Sequence, residues 1–468
     1  MSLFGALRAG SGLQHAAQAF PGVRDCTTDA MRRAVEDWFG LYYASCPAAE
    51  EDPCQQIPVT VVAKLRRACF AEYEPTVSLK GPAGEFLTRC QQSLDAVRGR
   101  AVQLAMIGGE CWLKPLPRAD RFDWAVVRRD AVTVLARDAA GQVTDLILQE
   151  VTRCADGVFT LLERRAVDAA GYLTVYNRLF RSADGQGLGV RVGLETLPQY
   201  AALQPEYTWP EPLGGLGLVP LRMPMENTVD GSPGGVSIYA AAAGLIHNIN
   251  HNEWLLDQEF DHGAIRVFAS DDLIRKRRGA DGEVLEKRLM PGLFTGLDDD
   301  PETVGITVFS PTLRDQSFLA RKTEYLRNVE SVIGLQRGLL SQVDAVQRTA
   351  TEVASSAGDY SLTVQDLWAM WERADRQALA LCSVLGRLYR LCDAAKFDPQ
   401  KHLSIQWGNG VLYDRDKDNA ERLAQVQAGL LAPELYLAWY YDLPCDTPAD
   451  RQEVRRRYMP EMEALLEE

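Results

Sequence analysis

Residues 234–268 read GGVSIYAAAAGLIHNINHNEWLLDQEFDHGAIRVF. The stretch leaves a Gly- and Pro-rich region and turns helical from Ile238 to about Phe260. The period changes again at AIRVF (264–268), which predicts a strand. VGITVF (304–309) predicts a second strand. Between the two stand RKRR (275–278), a turn at Gly279 to Gly282 and an acidic turn at DDDPE (298–302). Helical spacing resumes over 316–335 through Phe318, Leu319, Tyr325, Leu326, Val329 and Ile333. A small α/β insert over 264–315 is therefore carried between two helices of similar length.

Upstream, TTDAMRRAVEDWFGLYY (27–43) places Met31, Ala34, Val35, Trp38, Phe39 and Tyr42 on one helical face, with Thr27 or Thr28 as cap. Residues 59–72 and 83–106 also predict helices, the second ended by Gly108-Gly109. Residues 110–115 and 121–180 then read as short strands broken at Gly141, Gly157 and Gly171, an antiparallel meander. Residues 181–233 are irregular and close a first α+β domain. Downstream, 362–395 keeps a 3–4 spacing through Val364, Leu367/Trp368, Trp371, Ala374, Ala378, Leu381/Cys382, Leu385, Leu388/Tyr389 and Cys392. It predicts one helix with more apolar surface than a lone monomer needs. The tail predicts a strand at LSIQW (403–407), a helix near 416–430 and an acidic helix near 449–468.

Composition narrows the function. The 468 residues exceed one ordinary core, and 46% hydrophobic with 24% charged is the mix of a folded globular chain. No apolar run approaches the ~20 residues needed to cross a bilayer, and MSLFGALRAGSGLQHAA lacks the apolar core of a signal peptide. No membrane partner and synthesis in the cytoplasm are expected. The 10 cysteines form no CxxC pair, so neither a zinc site nor a disulfide framework is expected. A net charge of −14 argues against tight binding of nucleic acid over the whole surface.

Catalytic motifs are missing. There is no GxxxxGK[ST] loop and no GxSxG elbow, and LGGLGL (213–218) lacks the GxGxxG spacing. His247 and His251 stand four apart on a predicted helix, with Asp257, Glu259 and His262 beyond. Two histidines at that spacing can share a metal, but HExxH is absent, and polar helix residues at a subunit contact are the other reading. A metal-dependent enzyme using His247, His251 and His262 is the alternative. Otherwise no catalytic, metal or cofactor residues are expected. QRTATEVASSAGDYSLTVQDL (347–367) contains a capping box, with Thr349 as N-cap and Glu352 at the third helical position. Thr351 lies within it. Gly358 is expected to interrupt the helix before it restarts, so the four residues form an adjustable entry to 361–395.

These elements, in order, resemble portal proteins of long-tailed bacteriophages and related prophages. The resemblance rests on MRRAVEDWFGLYY, GGVSIYAAAAGLIHNINHNEWLLDQEFDHGAIRVF, QRTATEVAS (347–355) and DRDKDNAERLAQVQAGLLAPELYL (414–437). It implies an α+β portal-type fold and no enzyme activity. Its parts are an α/β wing (1–237), a stem of two helices (238–262 and 316–335) and a small α/β clip (263–315). A tunnel loop (336–360), a long wing helix (361–395) and a mainly helical crown (396–468) complete it. The same resemblance implies a homo-oligomeric ring, typically a dodecamer, at the capsid portal vertex of a virion assembled in the host cytoplasm. Double-stranded DNA would pass through without sequence specificity, in and out. Implied partners are the large terminase, a head–tail adaptor, and the major capsid and scaffolding proteins. Gln336, Arg337, Gln342, Asp344, Gln347 and Arg348 would face the DNA channel. Arg275, Lys276, Arg277 and Arg278 would dock a partner at the clip. Another head-assembly protein, such as a minor capsid component, is the nearest alternative.

Overall fold

The computed structural model describes residues 2–3, 11–43, 52–185, 187–263, 266–269, 274–278, 284–289, 306–309, 312–341, 350–394, 397–407, 415–441, 443–445 and 447–459. Of these, side chains are described outside 2–3, 11–13, the strands between 266 and 309, 350–359 and 415–418. Helices and strands are mixed, and the chain divides into two compact units, Met1–Arg67 with Thr76–Ser404, and Ala68–Pro75 with Ile405–Glu468.

The larger unit is built on two antiparallel sheets. Its helices before the sheets are α1 (Ser11–Ala19), α2 (Asp29–Tyr43), α3 (Ile57–Phe70), which runs on into the second unit, and α4 (Pro82–Gly108). Thr28 caps α2 through its Oγ1, which accepts from Met31 N at 3.1 Å. β1 (Ser2–Leu3) is followed by β2 (Glu74–Val77) at the junction of the two units, then by β3 (Glu110–Pro117) and β4 (Phe122–Arg128). Next come β5 (Val132–Arg137), β6 (Val143–Cys154), β7 (Gly157–Val167), β8 (Leu173–Ser182), β9 (Val190–Val192), β10 (Glu206–Thr208) and β11 (Val219–Arg222).

The large sheet runs β1-β6-β7-β8-β10, with β5 on β6 and β9 on β8; the small one runs β11-β3-β4. The meander β6-β7-β8 is the one its turn glycines predict. β9, β10 and β11 interrupt the region expected to be irregular; in β11, Val219 and Leu221 turn inward while Pro220 and Arg222 stay exposed. One face of the large sheet packs Leu146 and Leu148 against Trp112 and Val127 of the small sheet. The opposite face packs Ile147, Leu162 and Phe180 under Ala16, Ala19 and Phe20.

A buried charge ties the two sheets. The Glu163 carboxylate on β7 contacts Lys114 Nζ on β3 and Arg165 Nε at 2.6 Å. Burial by itself would raise the Glu163 pKa; Lys114 and Arg165 overcome it and hold it at about 2.

The helix pair follows. Gly234-Gly235 passes the end of α4 so closely that a Cβ at Gly109 (φ +81) would meet the Gly235 carbonyl oxygen at 2.3 Å. Ser237 and Ile238 then bond the Met106 carbonyl, each at 2.9 Å. Helix α5 (Ala243–His262) and helix α6 (Asp315–Ile333) occupy the two regions where sequence spacing predicts paired helices. Between them β12 (Arg266–Ala269) pairs β15 (Ile306–Phe309), and β13 (Ile274–Arg278) pairs β14 (Val284–Leu289). Arg275, Lys276, Arg277 and Arg278 therefore lie on a strand, β13, paired antiparallel with β14.

Helix α7 (Ala350–Leu388) has 39 residues and is about 58 Å long. It differs from expectation in three ways. It begins at Ala350 and runs unbroken through Gly358, so the expected interruption is absent. A helix interior tolerates one glycine at a cost of only about 1 kcal/mol. It ends at Leu388, not near 395: Arg390 turns left-handed (φ +57), and Leu391 N and Cys392 N return to the Gly386 carbonyl. Its apolar stripe is internal as well. Val364, Leu367, Trp371, Ala374, Ala378, Cys382 and Leu385 are buried, and α7 packs against α4 and β11 of the same unit. Most of the stripe is thus core of this chain, while Trp368, Leu381 and Leu388 are half-buried and Tyr389 is exposed. A short helix α8 (Pro399–His402) and β16 (Leu403–Gln406) complete this region.

The smaller unit holds α9 (Arg415–Gln427), α10 (Pro433–Tyr440) and α11 (Pro448–Tyr458). Glu434 pairs with Arg455 at 2.6 Å, Tyr436 donates to Asn419 at 2.7 Å, and Thr447 and Asp450 form a capping box.

The buried pair between the sheets makes a thermodynamic prediction. Lys114→Ala leaves Glu163 short of a partner and is expected to cost about 3 kcal/mol in urea unfolding, whereas Lys114→Met with Glu163→Leu costs much less. The folded pKa of Glu163 lies below its ordinary 4.5, so its stabilisation is present above pH 4.5 and fades as pH falls toward 2.

Candidate functional site

The α5/α6 pair carries the strand insert with Arg275–Arg278 at one end and the turn with Gln336 and Arg337 at the other. Ile246 and Ile249 on α5, and Val329 and Ile333 on α6, are buried. Polar contacts fix the antiparallel register. Asn252 Nδ2 donates to the Phe318 carbonyl at 3.1 Å, Lys322 pairs with Glu253 at 2.9 Å, and Arg314 forks onto Glu259 at 2.7 Å. The last of these closes the pair where the insert leaves it.

At the opposite end α5 is fastened to α2 and to the segment before α3. His247 Nε2 lies 2.8 Å from Asp37 Oδ1, and its Nδ1 lies 3.1 Å from Asp52 Oδ2. Hydrogen bonding to Asp37, and then to Asp52, outweighs partial burial and lifts the His247 pKa to about 9. The ring is therefore an imidazolium donating from both nitrogens at neutral pH. Asn250 adds a bond, its Oδ1 accepting from Gln55 N at 2.8 Å.

This geometry argues against the histidine metal site. Both His247 nitrogens are engaged, and a ligand needs a free lone pair. His251 stacks on Trp254 with centroids 5.5 Å apart. His262 ends α5, about 22 Å along the helix from His247. Among the described residues no group of three or more His, Cys, Asp or Glu is placed to hold a metal. A cleft of about 810 Å3 between β3, β11 and α7 is lined by Trp112, Arg137, Arg222, Met370 and Arg373 among others, without any His, Cys or Ser. Glu110 at its wall is paired with Arg129 at 3.0 Å.

The turn after α6 depends on residues that the sequence reading passed over. Glu330 is fully buried, and its carboxylate accepts from the backbone N–H groups of Gly338, Leu340 and Ser341 and from Ser341 Oγ. Lys64 Nζ donates to the Leu339 carbonyl, and Thr363 Oγ1 donates to the Gly334 carbonyl at 3.2 Å. The segment 334–341 is thereby held to α3, α6 and α7 at once. A carboxylate beside Val329 and Ile333 on the inward stripe is the one signal that marks Glu330 in the sequence. Lys64 and Thr363 carry no such signal.

Of the channel candidates, Gln336 and Arg337 lie in this turn, Gln336 half-buried and Arg337 exposed. Gln342, Asp344, Gln347, Arg348 and Thr349 fall outside the described residues. Thr351, Glu352 and Gly358 lie on α7, their side chains outside the description. The Arg275–Arg278 run stands in the insert, at the other end of α6. Among the described residues no helix is long and apolar enough to cross a membrane.

Two measurements test these anchors. His247→Ala is expected to lose roughly 1 kcal/mol near neutral pH, discounted for the solvent that reaches the ring. The wild-type pKa is raised on folding, so this stabilisation is full below pH 6.5 and disappears as pH rises through about 9; the two proteins should converge there in denaturation. Glu330→Gln should raise hydrogen exchange at the Gly338, Leu340 and Ser341 amides at least tenfold, with α4 unaffected.

No family model matches the chain, and no curated protein matches it. Among solved structures, it is similar to a chain in the neck of the native gene transfer agent particle computed with C12 symmetry, at 14% identity and a TM-score of 0.46, over 92% of this chain and 99% of that one. It is also similar to a chain in the virion of the native gene transfer agent particle, at 13% identity and a TM-score of 0.37, over 82% and 93%.

Proposed function

We propose that this chain is the subunit of a portal-type ring, the channel through which double-stranded DNA enters and leaves a capsid. The observation that carries the reading is the antiparallel α5/α6 pair, pinned at both ends and bearing the β12–β15 insert at one of them. In a ring of such subunits the pair is the stem, the insert the clip, the two-sheet region the wing and 396–468 the crown. The four sequence stretches that resemble the portal family follow one another along the chain in family order, which supports the reading.

Surface chemistry agrees with such an assembly. Phe260, Leu319 and Val332 are 50%, 44% and 45% exposed along the pair, and Leu362 near its exit into α7 is 61% exposed. Large apolar groups at these positions are costly in water and are covered when copies pack head to tail around a closed ring. The net charge of −14 suits a conduit that lets a polyanion slide, because tight phosphate contacts would stall it. In this reading Gln336 and Arg337 stand at the mouth of the channel loop, and the Arg275–Arg278 strand faces the terminase or the tail adaptor. With α7 unbroken at Gly358, any adjustment of the channel loop must occur before Ala350.

Sedimentation across a wide concentration range is expected to give one species many times the monomer mass, without ATP hydrolysis. Leu319→Glu with Val332→Glu is expected to shift it to monomers of unchanged circular dichroism. A wild-type monomer at every concentration would favour a minor capsid role.

A further inference from the structure

The cleft of about 810 Å3 beside β11 and α7 lies wholly within the larger unit, and its volume is that of a ligand site, roughly 300–1,000 Å3. Part of its wall is apolar. Val143, Val167 and Met225 are half-buried there, and Pro220 and Pro224 are exposed. Three arginines from three elements line the same space: Arg137 on β5, Arg222 on β11 and Arg373 on α7.

The charge of these arginines is incompletely balanced. The buried Glu110 carboxylate lies 3.0 Å from Arg129 Nε and 3.9 Å from Arg137 Nη2, so one carboxylate serves two guanidinium groups. Burial, with the like charges of Arg129 and Arg222, outweighs Glu110 and lowers the Arg137 pKa. Arg222 and Arg373 are exposed, and among the described residues neither has an ion pair. Two other carboxylates line the cleft. Asp138 Oδ1 accepts from Ala140 N at 2.9 Å and from Gln142 N at 2.8 Å within the β5–β6 turn, and Glu226 is exposed. With Arg129 included, four guanidinium groups stand against three carboxylates, in a chain whose net charge is −14.

We propose that this cleft docks an acidic segment of a partner protein, an extended peptide whose carboxylates flank an aliphatic side chain. Arg222 and Arg373 come from different walls, and a guanidinium fork takes a carboxylate in two parallel hydrogen bonds. The apolar wall receives the aliphatic group, and Met225 adapts to its shape. Arginine and methionine are also enriched where proteins meet. Nucleic acid fits less well, because it brings phosphates without aliphatic groups and its length would meet an acidic protein. The inference needs no ring and stands on the larger unit alone.

The test sorts a library of short random peptides on the purified full chain and titrates the enriched sequences by fluorescence anisotropy. Peptides rich in Asp and Glu around Leu, Met or Phe are expected. Their binding should weaken by about tenfold in Arg222→Glu with Arg373→Glu, and similarly when their acids are exchanged for Asn and Gln. Arg137 is left in place, because its Nη1 also bonds the Gly141 carbonyl at 2.9 Å. Both substituted residues are exposed, so circular dichroism and particle mass should stay as in the wild type. Enrichment of basic or neutral peptides, no enrichment, or acidic peptides that bind the double variant as well as the wild type overturns the proposal. A double variant that falls to a smaller particle gives the cleft to a second copy of this chain and overturns it as well.

Discussion

One buried carboxylate governs how the parts of the larger unit connect. Glu330 ends the paired helices and gathers three backbone N–H groups and a hydroxyl around its two oxygens. A charge taken out of water costs several kcal/mol unless such donors replace the lost hydration. The segment 335–341 therefore has one low-energy path, and that path delivers the chain toward α7. Remove the carboxylate and α6 still forms, since its helix needs no partner there. What is lost is the fixed angle at which the chain leaves it.

The same logic recurs wherever this unit joins its elements. Glu163 ties the two sheets, His247 joins α5 to α2, and Arg314 with Glu259 closes the pair where the insert departs. Each contact sets one polar group at a junction between elements, Glu163 inside the sheet packing and the Arg314–Glu259 pair at the surface. Hydrophobic burial holds the layers together but tolerates sliding; directional bonds choose the register. In the proposed portal reading, a stem that transmits force along a DNA path would need such fixed joints at its two ends.

Much of the architecture was legible because it is periodic. The meander announced itself by glycine turns, the insert by a change of period between two helices, and α4 by helical spacing over 83–106 ended by Gly108-Gly109. What was misread is instructive. The α7 stripe was read as more apolar surface than a lone chain needs, yet Val364, Trp371 and Cys382 are buried and α7 packs on this chain's own α4 and β11. Periodicity reports that a face is buried, not what buries it. Gly358 was read as a break, but propensity at one residue yields to the hydrogen bonds of a long helix. The joints escaped altogether: Lys64 with Leu339, and His247 with Asp37, span more than 200 residues, and no local pattern reports such partners.

The proposed ring follows from an element, not from a motif. In the proposed reading, identical neighbours cover the Phe260, Leu319 and Val332 side chains that a helix pair fixed at both ends and bearing strands at one leaves exposed. Whether copies close around a hole is read most directly in negative-stain images of the purified full-length protein. Uniform end-on rings with a central opening and a single rotational symmetry are predicted. Solid particles without an opening, or monomers at every concentration, would contradict it.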